Sequence, residues 1–368
     1  MLHSYQKPLV GKSVGVVFGS FAPLHQGHLD LIMRAKKEND GGCVVIVDGR
    51  DGDRGGKEMP LKRRYRYVRE FFADDDLVAV YPIDETELDI PPYPSGWEKF
   101  INEVEWIFAR AAIGSAVFYV SEQEYYDYLT NHGYEVVKAD RTLNPISATM
   151  IRQNPIKYWD KITYPFRRVF STNILICGTA SEGKTTLVKD LGKYFNAPYS
   201  HEYARDYMEE SYISEWELNG ADYIAFLDGQ YQMNKKLINS PSNQGIFFAD
   251  SDSMTTRMYA EYYCKDSALD LTEDEFKEIA VAADAITKKC RWDKIYVLCP
   301  KGIFVDDHTR YMGCSGMDER ETLFNILCNN IKSSGNWDKV TILDGGYWNN
   351  FKRIVEDVKE IIENGKMA

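Results

Sequence analysis

Gly19-Ser20-Phe21-Ala22-Pro23-Leu24-His25-Gln26-Gly27-His28 stands between an apolar run, Val14-Gly15-Val16-Val17-Phe18, and Leu29, Ile32 and Met33 at three-and-four spacing. The run reads as a buried parallel strand and the spacing as the inward face of a helix. His25 and His28 therefore share one side of the first turn where strand hands over to helix. Unpaired N–H groups and the positive end of the helix dipole make that turn a seat for an anion. Gly27, without a Cβ, lets a phosphate approach the main chain. This combination asks for a nucleoside triphosphate. Either histidine taken alone also reads as a packed or capping residue.

The whole run, GxFxPxHxGH, resembles the signature of the nucleotidyltransferase superfamily, which transfers a nucleotidyl group from a triphosphate to a phosphate or acid. Ala22 stands where many members carry a polar residue and is given no role. The resemblance implies ATP contacts from Gly19, Ser20 and Phe21 beside the two histidines. Further on, Ser147 can cap a helix whose first turn carries Thr149 and Arg152, a second phosphate cradle of hydroxyls and a guanidinium. Ile146-Ser147-x-Thr149-x-x-Arg152 resembles the second signature of the same superfamily.

With 368 residues the chain has material for two domains with full cores. Hydrophobic residues make up 44%, which excludes a disordered chain. No apolar stretch is long enough to span a bilayer, and no signal-peptide pattern opens the chain, so the expected location is cytoplasmic. Seven cysteines without a CxxC pair argue against a disulfide framework and a thiolate zinc site. The net charge of −12 tells against a DNA-binding surface, and no DNA or membrane partner is expected.

Along the first half, apolar strands at 43–47, 77–81 and 116–120 alternate with helical patterns through Leu61, Tyr65 and Val68, then through Trp97, Ile101 and Val104. Such alternation predicts a doubly wound parallel sheet with ligands at the carboxyl ends of its strands. From Arg54 to Arg69 lie seven Lys/Arg and one acid. They read either as a solvated helix face or as counter-charge for a triphosphate. Trp97, behind the Pro-rich loop 91–96, reads either as core or as a stacking platform.

The pattern lapses from Asn154 to Ser171, and 159–171 is expected as a short, partly packed connector between a domain at 1–158 and another at 172–368. A strand, Asn173-Ile174-Leu175-Ile176-Cys177, then leads into Gly178-Thr179-Ala180-Ser181-Glu182-Gly183-Lys184-Thr185, which matches GxxxxGK[ST]. With an apolar-periodic helix behind it, this is a phosphate-binding loop. Gly178, Ser181, Glu182, Gly183, Lys184, Thr185 and Thr186 are expected around ATP, with Lys184 reaching the β- and γ-phosphates and Thr185 holding Mg²⁺. Strand 245–249 ends at Asp250-Ser251-Asp252. Asp250 is expected on the metal side, and Asp252, one pleat on, as base toward a substrate hydroxyl. Capping of the next helix is the other reading of both. His201-Glu202-Tyr203-Ala204-Arg205-Asp206 reads from composition as an exposed, ion-paired helix start. Asp306, Asp307 and Arg310 lie on a Gly-flanked charged loop suited to close over transferring phosphate.

A nucleotidyltransferase domain followed by a P-loop kinase domain resembles the NadR family over nearly the whole chain. The fold class this implies is α/β, with a Rossmann-like doubly wound sheet followed by a P-loop one. The activities implied are phosphorylation of nicotinamide riboside to its mononucleotide (NMN) and adenylylation of NMN to NAD, with ATP and Mg²⁺ in both halves. Tyr93-Pro94-Ser95-Gly96-Trp97 matches the segment whose tryptophan stacks on nicotinamide. Glu202, Tyr203 and Arg205, Asp250 and Asp252, and Asp306, Asp307 and Arg310 match kinase segments. Enterobacterial members begin with a DNA-binding helix-turn-helix, whereas here the first strand starts near Val14, so repression is not implied. Three alternatives stay open: a nucleotidyltransferase of other specificity, a regulator that only senses NAD, and an enzyme with one degenerate half. A homo-oligomer stays open alongside the small-molecule partners.

Overall fold

The computed structural model describes residues 9, 11, 13–50, 52, 58–140, 144–265, 271–301 and 315–364. Contacts divide the chain into two units, 1–170 and 171–368.

The first unit runs β1 (Val14–Gly19), α1 (Gln26–Glu38), β2 (Cys43–Gly49), α2 (Leu61–Phe71), β3 (Val78–Asp84), α3 (Trp97–Ala111), β4 (Ala116–Val120), α4 (Gln123–Asn131), β5 (Glu135–Lys138), α5 (Ala148–Gln153) and α6 (Tyr164–Phe170). Its five strands are all parallel in the order β3-β2-β1-β4-β5. Alternation along each strand sends neighbours to opposite faces. Val17, Val45 and Val47 pack with Ile32, Val68 and Phe166 on one side, while Val16, Val44 and Ile46 pack with Ile101, Val104 and Leu129 on the other. The order reverses between β1 and β4, so the ligand crevice opens beside the run that leaves β1.

Residues 159–170 differ from the expected connector. Trp159, Ile162, Phe166, Val169 and Phe170 are buried in the first unit's core. Their lapse in periodicity reflects a 3-10 turn at Trp159–Lys161 followed by a helix of only two turns. β5 carries no expectation from the sequence, because four residues with only Val136 and Val137 apolar make a weak strand pattern.

The second unit runs β6 (Thr172–Gly178), α7 (Lys184–Phe195), β7 (Tyr199–Ser200), α8 (Tyr203–Ser211), α9 (Gly220–Ile238), β8 (Ile246–Asp250), α10 (Ser253–Tyr263), α11 (Glu273–Thr287), β9 (Lys294–Leu298), α12 (Met317–Ser333), β10 (Val340–Leu343) and α13 (Tyr347–Asn364). Its parallel sheet has the order β10-β9-β6-β8-β7. Ile174 and Ile176 pack toward α7 and α13, and Leu175 and Cys177 toward α9 to α12. The 19 residues of α9 escape sequence periodicity because its buried face mixes Tyr223, Phe226 and Leu227 with Asp222, Gln230 and Asn234. Among the described residues no helix is long and apolar enough to cross a membrane.

Candidate functional sites

In the first unit, His25 occupies the N-cap position of α1. The rings of His25 and His28 stack with centroids 3.7 Å apart, and Phe21 meets His28 edge-on at 5.0 Å. A Cβ on residue 27 would come within 3.2 Å of His25 Cε1, a tight contact that would press on the imidazole. Three side chains hold this loop by its carbonyls. Arg64, almost fully buried, donates to Met59 O at 2.9 Å, to Asp48 O at 2.7 Å and to Ser20 O. Arg152 donates to Ala22 O at 2.6 Å and to Thr149 Oγ1 at 3.1 Å. Thr163 Oγ1 donates to Leu24 O at 3.0 Å, beside a β-bridge between His25 and Ile162. Ser147 caps α5 by accepting from Met150 N at 3.2 Å. The bond from Arg152 to Ala22, 130 residues apart in sequence, thereby brings the two signature runs together.

Phe21 is 1% exposed, its ring packed against His28. Arg64, from the basic island, holds carbonyls within the fold, while Lys62, Arg63 and Arg66 form the solvated face. Trp97 sits in a cluster of aromatic rings. Its indole is 5% exposed, one face stacks on Tyr128 at 4.6 Å and 11°, and the edges of Phe18, Phe100 and Tyr125 surround it. Trp97 thus makes core contacts, one of the two readings of its spacing.

In the second unit the phosphate-binding loop joins β6 to α7. Gly183 sits at the N-cap of α7 with φ of 78°, a conformation open to glycine at little cost. Lys184, 6% exposed, donates from Nζ to Thr179 O at 2.8 Å. Thr185 Oγ1 donates to Asp250 Oδ2. Asp250 is fully buried; burial pushes its pKa up, and the Lys184 charge opposes that rise. A hydroxyl and a buried carboxylate side by side suit a small hard dication whose remaining ligands are water and phosphate oxygens. Among the described residues no group of three or more His, Cys, Asp or Glu forms a metal site on its own. Thr186 stays exposed on the first turn of α7.

Glu182 does not point at the phosphate seat. Its carboxylate pairs with Arg320 of α12 and accepts from Lys301 N at 3.2 Å. Asp252 departs from expectation further. Ser251 adopts φ of 69°, which breaks the strand's alternation after Asp250. Asp252 thus turns into the core at 2% exposed. Oδ1 accepts from Met254 N at 3.0 Å as the N-cap of α10, and Oδ2 from Trp292 Nε1 at 2.9 Å. Burial pushes its pKa up to about 6. Of the two sequence readings, the structure realises the cap.

The loop opens into a cavity between α8, α9 and α10. Lys184 and Ser251 line its end at the P-loop, Glu202 lies within electrostatic reach of Asp250, and Arg205 lines the cavity beside Glu202. Tyr223 and Phe226 of α9 and Tyr259 and Tyr263 of α10 form aromatic walls. Glu202 is paired with Arg205 at 3.2 Å, so the ion pair read from composition is present but faces a cavity. Tyr203 N donates to Gln230 Oε1 at 2.8 Å and the Tyr203 ring lies against Gly229, so Tyr203 fastens α8 to α9. Sequence reasoning passed over Glu215, Tyr223, Thr255, Tyr259 and Tyr263. The four-residue spacing of Thr255, Tyr259 and Tyr263 behind Asp250 was the available signal. Asp306, Asp307 and Arg310 lie outside the described residues.

A histidine-pair loop on one parallel sheet and a P-loop on the next define a nucleotide transferase of two catalytic units. A cytidylyltransferase-like family model matches residues 16–154, and an AAA domain model matches 173–348. The trifunctional NAD biosynthesis/regulator protein NadR of Salmonella typhimurium is 30% identical over 363 residues, covering 95% of this chain and 84% of the relative. The NadR protein of Escherichia coli is 29% identical, covering 96% and 85%. A crystal structure of a NadR protein in complex with NR superposes with a TM-score of 0.85 at 36% identity, over 98% of each chain. Another, with NAD and AMP-PNP, reaches 0.84 at 36% identity, over 97% of this chain and 98% of the other. The chain belongs to the NadR family.

Proposed function

We infer that the chain makes NAD from nicotinamide riboside in two ATP-dependent steps. The second unit transfers the γ-phosphoryl of ATP to the riboside 5′-hydroxyl, and the first adenylylates the resulting NMN with release of pyrophosphate. The observation that carries this reading is the aromatic-walled cavity opening directly onto Lys184 of the P-loop, in one chain with the stacked His25–His28 loop.

In the kinase unit the backbone N–H groups of the loop and Lys184 would hold the phosphates. Magnesium, when bound by Thr185 and Asp250, supplies charge neutralisation to the phosphate oxygens. The riboside hydroxyl is a weak nucleophile at neutral pH and gains from a proton acceptor. Glu202 lines the cavity within electrostatic reach of Asp250 and takes the role first expected of Asp252. Arg205, its ion-pair partner, holds the carboxylate until substrate enters. In the first unit the attacking NMN phosphate is already ionised, so no base is required. His25, His28 and Arg152 contribute placement and charge neutralisation on the triphosphate.

The test follows both products after mixing riboside, ATP and magnesium with wild type and two variants. His28→Ala should accumulate NMN and ADP without NAD, and Lys184→Ala should convert supplied NMN to NAD but leave riboside untouched. Loss of both activities in either variant would refute this division of labour.

A further inference from the structure

The kinase cavity has two distinct ends, and a helix measures the distance between them. α10 starts beside Asp250 at the P-loop, and its Thr255, Tyr259 and Tyr263 follow one another along the cavity wall. Eight residues separate Thr255 from Tyr263, an axial rise of about 12 Å. Tyr263 Oη donates to Glu215 Oε2 at 3.4 Å, which places that carboxylate at the outer end. A second measure agrees. Tyr203, at the start of α8, is fixed to Gln230 of α9. Further along, Tyr207 Oη donates to Asp222 near the start of α9 at 2.8 Å. α8 thus runs antiparallel to α9, and Glu215 lies just beyond the end of α8.

This span matches a nucleoside laid with its 5′-hydroxyl at Lys184 and Glu202 and its base between Tyr259, Tyr263 and Tyr223. A carboxylate among aromatic rings is an unfavourable neighbour for a neutral or anionic base and a favourable one for a cation. The pyridinium of nicotinamide riboside carries a fixed positive charge that no pH change removes. We propose that Glu215 sets the charge specificity of the kinase cavity, selecting an N-ribosyl pyridinium cation over neutral and carboxylated bases. This deepens the riboside-kinase reading and rests on it.

The experiment compares nicotinamide riboside with its neutral 1,4-dihydro form and with nicotinate riboside, measuring KM and kcat for ADP release. Wild type should favour the cation over the dihydro form by about tenfold in kcat/KM, the size of one partly screened charge contact. Glu215→Gln should raise KM for the cation by about tenfold while changing that for the neutral form by about twofold or less. Nicotinate riboside should gain relative to the cation in the same variant, and Glu215→Asp should recover part of the selectivity. Equal loss for all three substrates would make Glu215 a packing residue and overturn the proposal. Should Glu215→Gln fail to fold, as judged by its thermal melt, equal wild-type kcat/KM for cation and dihydro form would overturn it. Failure of wild type to phosphorylate any pyridine riboside would instead sink the underlying kinase reading.

Discussion

Asp250 and Asp252 are two residues apart and end in opposite surroundings. Strand alternation places them on one face, but the left-handed backbone at Ser251 intervenes. Asp250 meets Thr185 at the P-loop, while Asp252 caps α10 and binds Trp292. Accordingly, Glu202→Gln should lower kcat for riboside phosphorylation by about 100-fold or more, and Asp252→Asn should keep most of kcat. Steady-state assays of ADP release check both, and the reverse ranking would restore Asp252 as base. The same carboxyl gives a pH signature. Its folded pKa of about 6 lies above the unfolded value, so the folded state holds a proton that the unfolded chain has given up. Stability present in acid is therefore lost as pH rises from about 4 through 6, by about 3 kcal/mol. Denaturant unfolding of wild type against Asp252→Asn across this window should show the wild-type advantage falling; a constant difference would contradict the buried placement.

Among elements, the segment from Trp159 to Thr163 serves the histidine loop from behind. Its bridge to His25 and the Thr163–Leu24 bond fix the turn into which both imidazoles are set. Lys161 Nζ adds a bond to Gln26 Oε1 at 3.0 Å. Thr163→Val removes one buried hydroxyl and leaves a carbonyl with one partner fewer, costing about 1 kcal/mol. NMN adenylylation should show a raised KM for ATP with riboside phosphorylation unaffected. Equal effects on both activities would show that the segment does not act through the loop. This role was illegible in the sequence because a bridge between residues 25 and 162 has no local pattern. α5 was legible, since the cap that starts it, Ser147, lies within the same short run.

For the whole molecule, the division at Phe170 and Ser171 carries a consequence for folding. A fragment ending at 170 keeps Trp159, Ile162, Phe166 and Phe170 in its core; one ending at 158 exposes their partners. The 1–170 fragment should be soluble, unfold cooperatively and adenylylate NMN. The 1–158 fragment should be destabilised by several kcal/mol, a cost of about 2–5 kcal/mol being usual for each large apolar side chain lost. Circular dichroism melts of the two fragments decide this, and equal midpoints would return 159–170 to the status of a connector.

The amino-acid order alone determined the α/β class, the two phosphate seats and the order of the two units. Each of these is written within a stretch of about ten residues, where strand, turn and helix signals adjoin. Tertiary structure alone decided which charged groups face a ligand. Asp252, Glu182 and Arg64 all have the chemistry of site residues, yet each is bonded within the fold. Glu215, Tyr259 and Tyr263 carry no motif and line the cavity. The physical reason is that a side chain's role depends on partners distant along the chain, and only packing brings those partners within hydrogen-bond range.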